Sequence, residues 1–172
     1  WGKKPKAFVI TDSQAFARVS EETPEDIWLY FDSLILFADL KGNLKTAAAG
    51  AAALDRLKDG DKILISEGCT TTGSVDDIGT VKLPRWIRNY REKAGILSIP
   101  PEEIFPEDVT KYSLIVHCGG CMLNEREMRY RQKCALDQEI PITNYGIAIA
   151  YMQGILKRCV EMFPDVRKEL EQ

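Results

Sequence analysis

Two cysteines separated by two glycines form the clearest candidate for chemistry in this sequence. The motif Cys118-Gly119-Gly120-Cys121 follows an apolar run and precedes a segment with a helical pattern, so it lies in a predicted strand-to-helix turn. The glycines allow backbone N–H groups to face the two sulfurs, and the start of a helix adds partial positive charge beside thiolates. The motif by itself fits a soft metal centre, a redox-active dithiol or a structural pair.

A third cysteine makes a metal centre more favourable than a redox dithiol or a structural pair. Cys69 also follows an apolar run, 62–66, and the carboxyl ends of neighbouring parallel strands lie at one edge of a sheet. A redox dithiol needs two thiols and a structural zinc site usually takes four ligands, whereas three thiolates can bind an iron–sulfur cluster and leave one iron open. The residues therefore favour an iron–sulfur site, with a dithiol oxidoreductase and a structural zinc module as alternatives.

The remaining cysteines and the single histidine have other predicted roles. His117 precedes Cys118, and the alternation of a strand directs its side chain to the opposite face, so we expect a hydrogen bond near the site rather than a ligand. Cys134 and Cys159 lie in predicted helices, where an unmodified cysteine behaves as a small apolar residue. Both are predicted to lie outside the site.

The segment 70–79 is rich in hydroxyl groups, glycine and aspartate, and is a candidate lid over the site. Its paired Asp76 and Asp77 are interpreted as caps of the following turn or helix rather than as a cation site. The phosphate-binding motif GxxxxGK[ST] does not occur in the sequence, so this segment is not expected to hydrolyse a nucleoside triphosphate.

Composition limits the class of protein. The 172 residues are 45% apolar and 28% charged, which is typical of a globular domain with a real core. With 23 basic and 26 acidic side chains the net charge is −3, so neither nucleic acid nor an anionic membrane is a predicted partner. No apolar run is long enough to span a bilayer, and five cysteines without a secretory signal predict a reducing cytoplasm. Residues 1–6 lack an initiator methionine and resemble the interior of a longer chain.

Strand and helix patterns alternate along the chain and must position these thiols. Strands are predicted over 6–10, 62–66, 96–99, 112–116 and 140–142, and helices over 32–40, 44–57, 84–93, 124–137 and 144–163. Because 62–66 is apolar on both faces, the predicted fold class is α/β, with a mostly parallel β-sheet flanked by helices.

The start of the chain is predicted to be a short strand-containing stub. The segment 20–24 is interpreted as a polar connector, after which a helix opens at 24–26. A single strand is not stable alone, so the strand at 6–10 is expected to pair with an upstream segment or with another protomer.

Several longer motifs occur in the order found in one known family. They are Ser66-Glu67-Gly68-Cys69-Thr70, the segment 76–86, His117-Cys118-Gly119-Gly120-Cys121-Met122 and Ile142-Thr143-Asn144-Tyr145-Gly146. On these motifs the sequence resembles the FeFe-hydrogenase maturation GTPases, the HydF family, over nearly its whole length. The resemblance implies that residues 1–22 end a dimerisation domain, that 23–172 form the iron–sulfur domain, and that a GTPase domain lies upstream.

The resemblance also implies a set of cluster ligands. Family members bind a 4Fe-4S cluster through three cysteines, matched here by Cys69, Cys118 and Cys121, and the fourth iron position is exchangeable. Many members carry histidine where this chain has Thr71, which is a poor iron ligand. A carboxylate near the C-terminus is matched by Glu169, as a tentative fourth ligand.

The implied function is that of a scaffold or carrier. Family members receive the diiron precursor of the hydrogenase active site from radical-SAM maturases and deliver it to apo-FeFe-hydrogenase. They form homodimers, and GTP binds only in the upstream domain, so this segment is not itself expected to be an enzyme. The alternatives from the residues alone stay a dithiol–disulfide oxidoreductase or a structural zinc module.

Overall fold

A computed structural model describes residues 8–11, 15–31, 43–68, 77–92, 95–99, 104–119 and 123–170. The strands are β1 (Phe8–Thr11), β2 (Trp28–Phe31), β3 (Lys62–Ser66), β4 (Gly95–Ile99), β5 (Leu114–His117) and β6 (Ile142–Asn144). The helices are α1 (Phe16–Glu22), α2 (Leu44–Ala52), α3 (Leu83–Tyr90), α4 (Glu125–Asp137), α5 (Tyr145–Met152), α6 (Leu156–Cys159) and α7 (Pro164–Glu169). A 3₁₀ turn, Ala53–Arg56, continues α2, and a π-helical turn, Ile78–Lys82, leads into α3. Within these ranges, no helix combines the length and apolar character that crossing a bilayer requires.

The central sheet confirms the predicted α/β class. In the described part of the chain it has four strands, all parallel, in the order β4-β3-β5-β6. The chain places β4 on one side of β3 and then β5 on the other, so its direction of winding reverses between β3 and β5. In open parallel sheets, ligands bind at the carboxyl ends of the strands at such a reversal.

Helices cover the sheet on both faces, which explains the apolar strands. Ile63, Leu64 and Ile65 of β3 are all fully buried, as expected for a strand without a solvent-facing side. Alternate side chains of β3 and β5 join a core with α2, α3 and α5 on one face. The opposite side chains pack with Phe105, Val109 and α4.

Local signals set the ends of the two helices that follow β5 and β6. Asn124 caps α4 by accepting a hydrogen bond of 2.8 Å from the backbone N–H of Glu127, and Asn144 caps α5 through Ile147 in the same way. The predicted starts of these two helices, at 124 and 144, are confirmed to within one residue. The single helix predicted over 144–163 is wrong, because Gly154 takes a left-handed conformation (φ +74°) and divides it.

Helix α2 covers the free edge of the sheet at β6. A Cβ on Gly50 would lie 2.1 Å from the backbone oxygen of Ile142, so only glycine permits this approach. The close contact shields the outer side of β6 from pairing with other chains.

The N-terminal segment differs from prediction. β1 pairs in parallel with β2, with Phe8 opposite Trp28, so within the described residues its partner belongs to this chain rather than to an upstream segment or another protomer. The helix predicted to open at 24–26 is instead a turn before β2, whose run of aromatic and apolar residues favours a strand. Part of the predicted connector is helical, in α1.

The predicted boundary between residues 22 and 23 lies in a segment that α6 contacts. The guanidinium of Arg158 donates hydrogen bonds to the backbone oxygens of Ser20, Thr23 and Pro24 at 2.8, 2.8 and 2.7 Å. The division into domains 1–22 and 23–172 stays a prediction, and the helix predicted over 32–40 lies outside the described residues.

Candidate metal centre

The loops that carry the predicted cysteine ligands leave the sheet side by side. Ser66, the last residue of β3, lies opposite His117, the last residue of β5. One residue further, the N–H of Cys118 donates a hydrogen bond of 2.9 Å to the oxygen of Ser66. Both loops therefore start at the point where the winding of the sheet reverses.

Cys118 directly contacts the first of these loops. A Cβ on Gly68 would lie 3.0 Å from the Cys118 sulfur and 2.6 Å from a methyl carbon of Leu123, so a larger residue here would displace one of these side chains. Cys118 is 8% exposed and packs at the end of the core formed with α2, α3 and α5. The residue that precedes Cys69 in the sequence thus lies against the thiol of Cys118.

The other predicted site residues in these loops lie outside the described residues. They are Cys69, Thr71, Asp76 and Cys121. In the described part of the chain, no three His, Cys, Asp or Glu side chains form a metal-binding group, and Cys118 is the one predicted thiol ligand among these residues. The three-cysteine ligand set accordingly stays a prediction.

His117 lies on the opposite face of the sheet from Cys118, as strand alternation requires. Its Nδ1 is 2.6 Å from the backbone oxygen of Cys118, and its Nε2 is 3.2 Å from Nη1 of Arg131. Because a carbonyl oxygen can only accept and a guanidinium can only donate, these contacts assign the proton to Nδ1 and the lone pair to Nε2. The ring is held in place beside the Cys118 backbone.

Sequence reasoning did not identify Arg131, which is the most buried charged group at this edge. Its Nη1 lies 3.0 Å from both the hydroxyl of Ser66 and the backbone oxygen of Glu67. Its Nε donates to Glu127 at 2.7 Å, and the guanidinium carbon lies 5.4 Å from the centre of the Phe105 ring. Through its contacts with Ser66, Glu67 and His117, Arg131 of α4 therefore connects the carboxyl ends of β3 and β5.

A signal for Arg131 was present in the sequence. Met128, Arg131 and Ala135 are the buried residues of α4, at a spacing that places all three on one face of the helix. An arginine on the apolar face, four residues after Glu127, indicates a buried ion pair.

A buried carboxylate and a phenol meet on the Cys118 face of the sheet. A Cβ on Gly79 would lie 2.1 Å from a carboxylate oxygen of Glu67 and 2.6 Å from the hydroxyl oxygen of Tyr145. The end of the candidate lid segment is therefore packed tightly against both groups. The carboxylate of Asp77 accepts bonds of 2.8 Å from the N–H and the hydroxyl of Thr80, which confirms its predicted role as a cap.

Glu169 is not close to this arrangement in the fold. Its carboxylate pairs with Lys45 at 3.0 Å and lines a surface groove with Pro141 and Ile142, at the start of β6. Cys118 follows the opposite, carboxyl end of the neighbouring strand β5. This placement argues against Glu169 as a fourth ligand, because α7 packs on α2 rather than at the carboxyl edge of the sheet.

The two cysteines that were predicted to lie outside the site occupy helices. Cys159 is 1% exposed and its thiol donates to the oxygen of Ile155 at 3.0 Å. Burial raises the pKa of the Cys159 thiol well above its ordinary value, which favours the protonated thiol at neutral pH. Cys134 is half-buried on α4 and packs against the second core.

A protein-family model matches most of the chain. The family model described as the hydrogen maturase F tetramerization domain matches residues 45–162, which include the whole central sheet and both cysteine-bearing loops. No curated protein matched the chain. The family indicates a role in hydrogenase maturation, and it supports the expected self-association without specifying the predicted homodimer. Because the match covers well over half of the sequence, this chain belongs to the hydrogen maturase F tetramerization domain family.

Proposed function

We propose that this chain binds a 4Fe-4S cluster through Cys69, Cys118 and Cys121 and acts as a scaffold or carrier in hydrogenase maturation. One observation carries the proposal. The Cys118 sulfur packs against Gly68, the residue before Cys69, where the winding of the parallel sheet reverses. Cys121 is three residues beyond Cys118 in the same loop.

The residues present suit such a group. Cys118 offers a buried thiol at the end of an apolar core, and sulfur ligands in an apolar surrounding are typical of iron–sulfur sites. The buried guanidinium of Arg131, beneath the same edge, provides positive charge for a site that contains several thiolates. When bound, the cluster supplies an iron with an exchangeable coordination position.

The protein's own part in this function is to hold its thiols in place. Hydrogen bonds from Cys118 to Ser66, and from His117 to the Cys118 oxygen, fix the backbone at the thiol. The turn at Gly79 packs on Glu67 and Tyr145 on the same face of the sheet as Cys118.

The proposed cargo and partners are those that the resemblance to the HydF family implies. We infer that the cargo is the diiron precursor of the hydrogenase active site, supplied by radical-SAM maturases and received by apo-FeFe-hydrogenase. GTP is proposed to act on a domain outside this sequence, and homodimers to be the unit from which larger assemblies form. The family description itself, a tetramerization domain in hydrogen maturase F, supports the maturation context and self-association.

The test is anaerobic reconstitution with iron and sulfide, followed by EPR spectroscopy of the reduced protein. Wild type is compared with single serine variants of Cys69, Cys118 and Cys121. Cys134→Ser and Cys159→Ser are matched controls, because both thiols lie in helices outside the site. We expect a 4Fe-4S signal in wild type and controls that imidazole perturbs, and its loss in the three site variants.

Other results would contradict the proposal in distinct ways. A colourless protein with stoichiometric zinc would indicate a structural zinc module. A reversible Cys118–Cys121 disulfide with reductase activity and no iron uptake would indicate a dithiol oxidoreductase. A full cluster signal in all three site variants would refute the ligand assignment.

A further inference from the structure

We propose that Arg131 is the positioning residue that holds the two cysteine-bearing loops in register and raises the reduction potential of the bound cluster. This inference rests on the proposed function, since it concerns the same site. It adds a residue that carries no thiol and lies on a helix behind the sheet.

The contacts of one nitrogen atom carry the first half of the proposal. Nη1 of Arg131 reaches the hydroxyl of Ser66, the oxygen of Glu67 and Nε2 of His117, at 3.0, 3.0 and 3.2 Å. The first two acceptors belong to the chain that leads to Cys69, and the third belongs to the chain that leads to Cys118. A single side chain therefore sets the spacing between the two loops.

His117 extends this connection to the thiol-bearing residue. Its Nε2 faces Arg131 while its Nδ1 faces the backbone oxygen of Cys118 at 2.6 Å. The chain of contacts therefore runs from Arg131 through the imidazole to Cys118. Hydrogen bonds from groups that do not themselves bind the metal orient its ligands, and their loss typically weakens metal binding about 10- to 100-fold.

Burial and charge carry the second half of the proposal. The side chain of Arg131 is 5% exposed and that of its carboxylate partner Glu127 is 35% exposed, so solvent screens the carboxylate more than the guanidinium. Replacing a buried ion pair by apolar groups is often neutral or stabilising, so fold stability alone does not explain a buried guanidinium here. A cluster with three thiolates is anionic and gains negative charge on reduction, so a nearby buried cation favours the reduced state.

The test uses Arg131→Met and Arg131→Lys, with Arg129→Met as the matched control. Arg129 lies on the same helix, but its side chain is 77% exposed and pairs with Glu125. Two quantities are measured: the Co²⁺ affinity of the apo-protein, followed by thiolate-to-cobalt absorption, and the midpoint potential of the reconstituted cluster. Far-UV circular dichroism checks the fold of each variant.

We expect Arg131→Met to bind Co²⁺ about 10- to 100-fold more weakly and to shift the potential of its residual cluster to more negative values. Arg131→Lys keeps the charge but not the planar set of donors, so it should keep the potential and lose Co²⁺ affinity. Arg129→Met should match wild type in both measurements. If Arg131→Met fails to fold, Ser66→Ala, which removes one acceptor, should show a smaller loss of Co²⁺ affinity.

The outcomes separate this inference from the proposed function. If wild type binds a cluster and Arg131→Met equals it in Co²⁺ affinity and potential, the inference is overturned and the proposed function stands. Should Arg131→Met lose affinity while its potential equals that of wild type, the electrostatic half is refuted. If wild type binds neither cluster nor Co²⁺ through thiolates, both proposals are refuted together.

Discussion

The sulfur of Cys118 lies 3.0 Å from the position that a Cβ on Gly68 would occupy. The two residues are 50 positions apart in the sequence and lie in different loops. The thiol of Cys118 lies beside the backbone of Gly68, which has no side chain of its own. If the proposed cluster site exists, the space at Gly68 therefore bears on the placement of the Cys118 thiol. Because the loops start from paired residues of β3 and β5, the parallel sheet sets their separation.

Gly68→Ala is therefore expected to impair the site. The added methyl group would meet the Leu123 side chain at 2.6 Å as well as the Cys118 sulfur, so these side chains or the loop must shift. Overpacking of this kind typically costs about 1–3 kcal/mol of folding free energy. We expect lower iron and sulfide content after reconstitution and a reduced midpoint of thermal unfolding.

Gly95→Ala is the control for this variant. Its added Cβ would have no neighbour closer than 3.6 Å, which is ordinary contact. It should retain iron content and change stability little. Equal iron content in Gly68→Ala and Gly95→Ala would show that the Gly68 contact has no role in cluster binding.

Glu169→Gln is expected to leave the cluster unchanged. The carboxylate pairs with Lys45 on the surface at the start of β6, and exposed ion pairs contribute about 0–1 kcal/mol. EPR spectra of the reduced protein, with and without imidazole, provide the measurement. A change of signal in this variant would restore Glu169 as a candidate fourth ligand.

The sequence predicted those features that depend on local signals. Asn124 and Asn144 cap helices because an amide side chain can accept from N–H groups three residues away, and this is visible without a fold. The strand at β2 was misread because Pro24-Glu25-Asp26 matches a helix start, and only its pairing with β1 fixes the outcome. Arg131 was missed because its acceptors, Ser66 and Glu67, are more than 60 residues away in the sequence.

A group of hydrogen-bonded side chains around Asp55 predicts that the stability of the fold depends on pH. Hydrogen bonds from Tyr151 at 2.6 Å and from Tyr90 at 2.7 Å lower the pKa of the Asp55 carboxyl. A lowered pKa in the folded state contributes stability above the unfolded pKa of about 3.9, which is lost as the pH falls through the folded value. Asp55→Asn should therefore have a shallower loss of stability in acid than wild type.

The same group of side chains predicts a loss of stability at high pH as well. Burial and the hydrogen bond to Asp55 raise the pKa of Tyr151, so its contribution is present below pH of about 10 and is lost as the pH rises further. Tyr151→Phe should lose about 1 kcal/mol at neutral pH and flatten the alkaline limb of the stability curve. Urea unfolding across the pH range checks both variants, and parallel curves for wild type and variants would contradict the assignment.

The hydrogen bonds of Arg158 indicate which part of the chain unfolds locally when they are removed. Its guanidinium bonds the backbone oxygens of Ser20, Thr23 and Pro24, and so ties the β1–α1–β2 unit to α6. Hydrogen bonds to a charged group contribute about 1.5–3 kcal/mol when buried and less when part-exposed, as here. A loss of about 1.4 kcal/mol corresponds to a tenfold change in an opening equilibrium.

Arg158→Ala should accordingly increase hydrogen exchange in residues 15–31 by about tenfold, while β3 and β5 keep their protection. Lys157→Ala is the control, since its exposed side chain is the neighbour of Arg158 on the same helix. Uniform loss of protection across the central sheet would show that the N-terminal unit and the sheet open as one. Unchanged exchange in 15–31 would show that the pairing of β1 with β2 alone holds the unit closed.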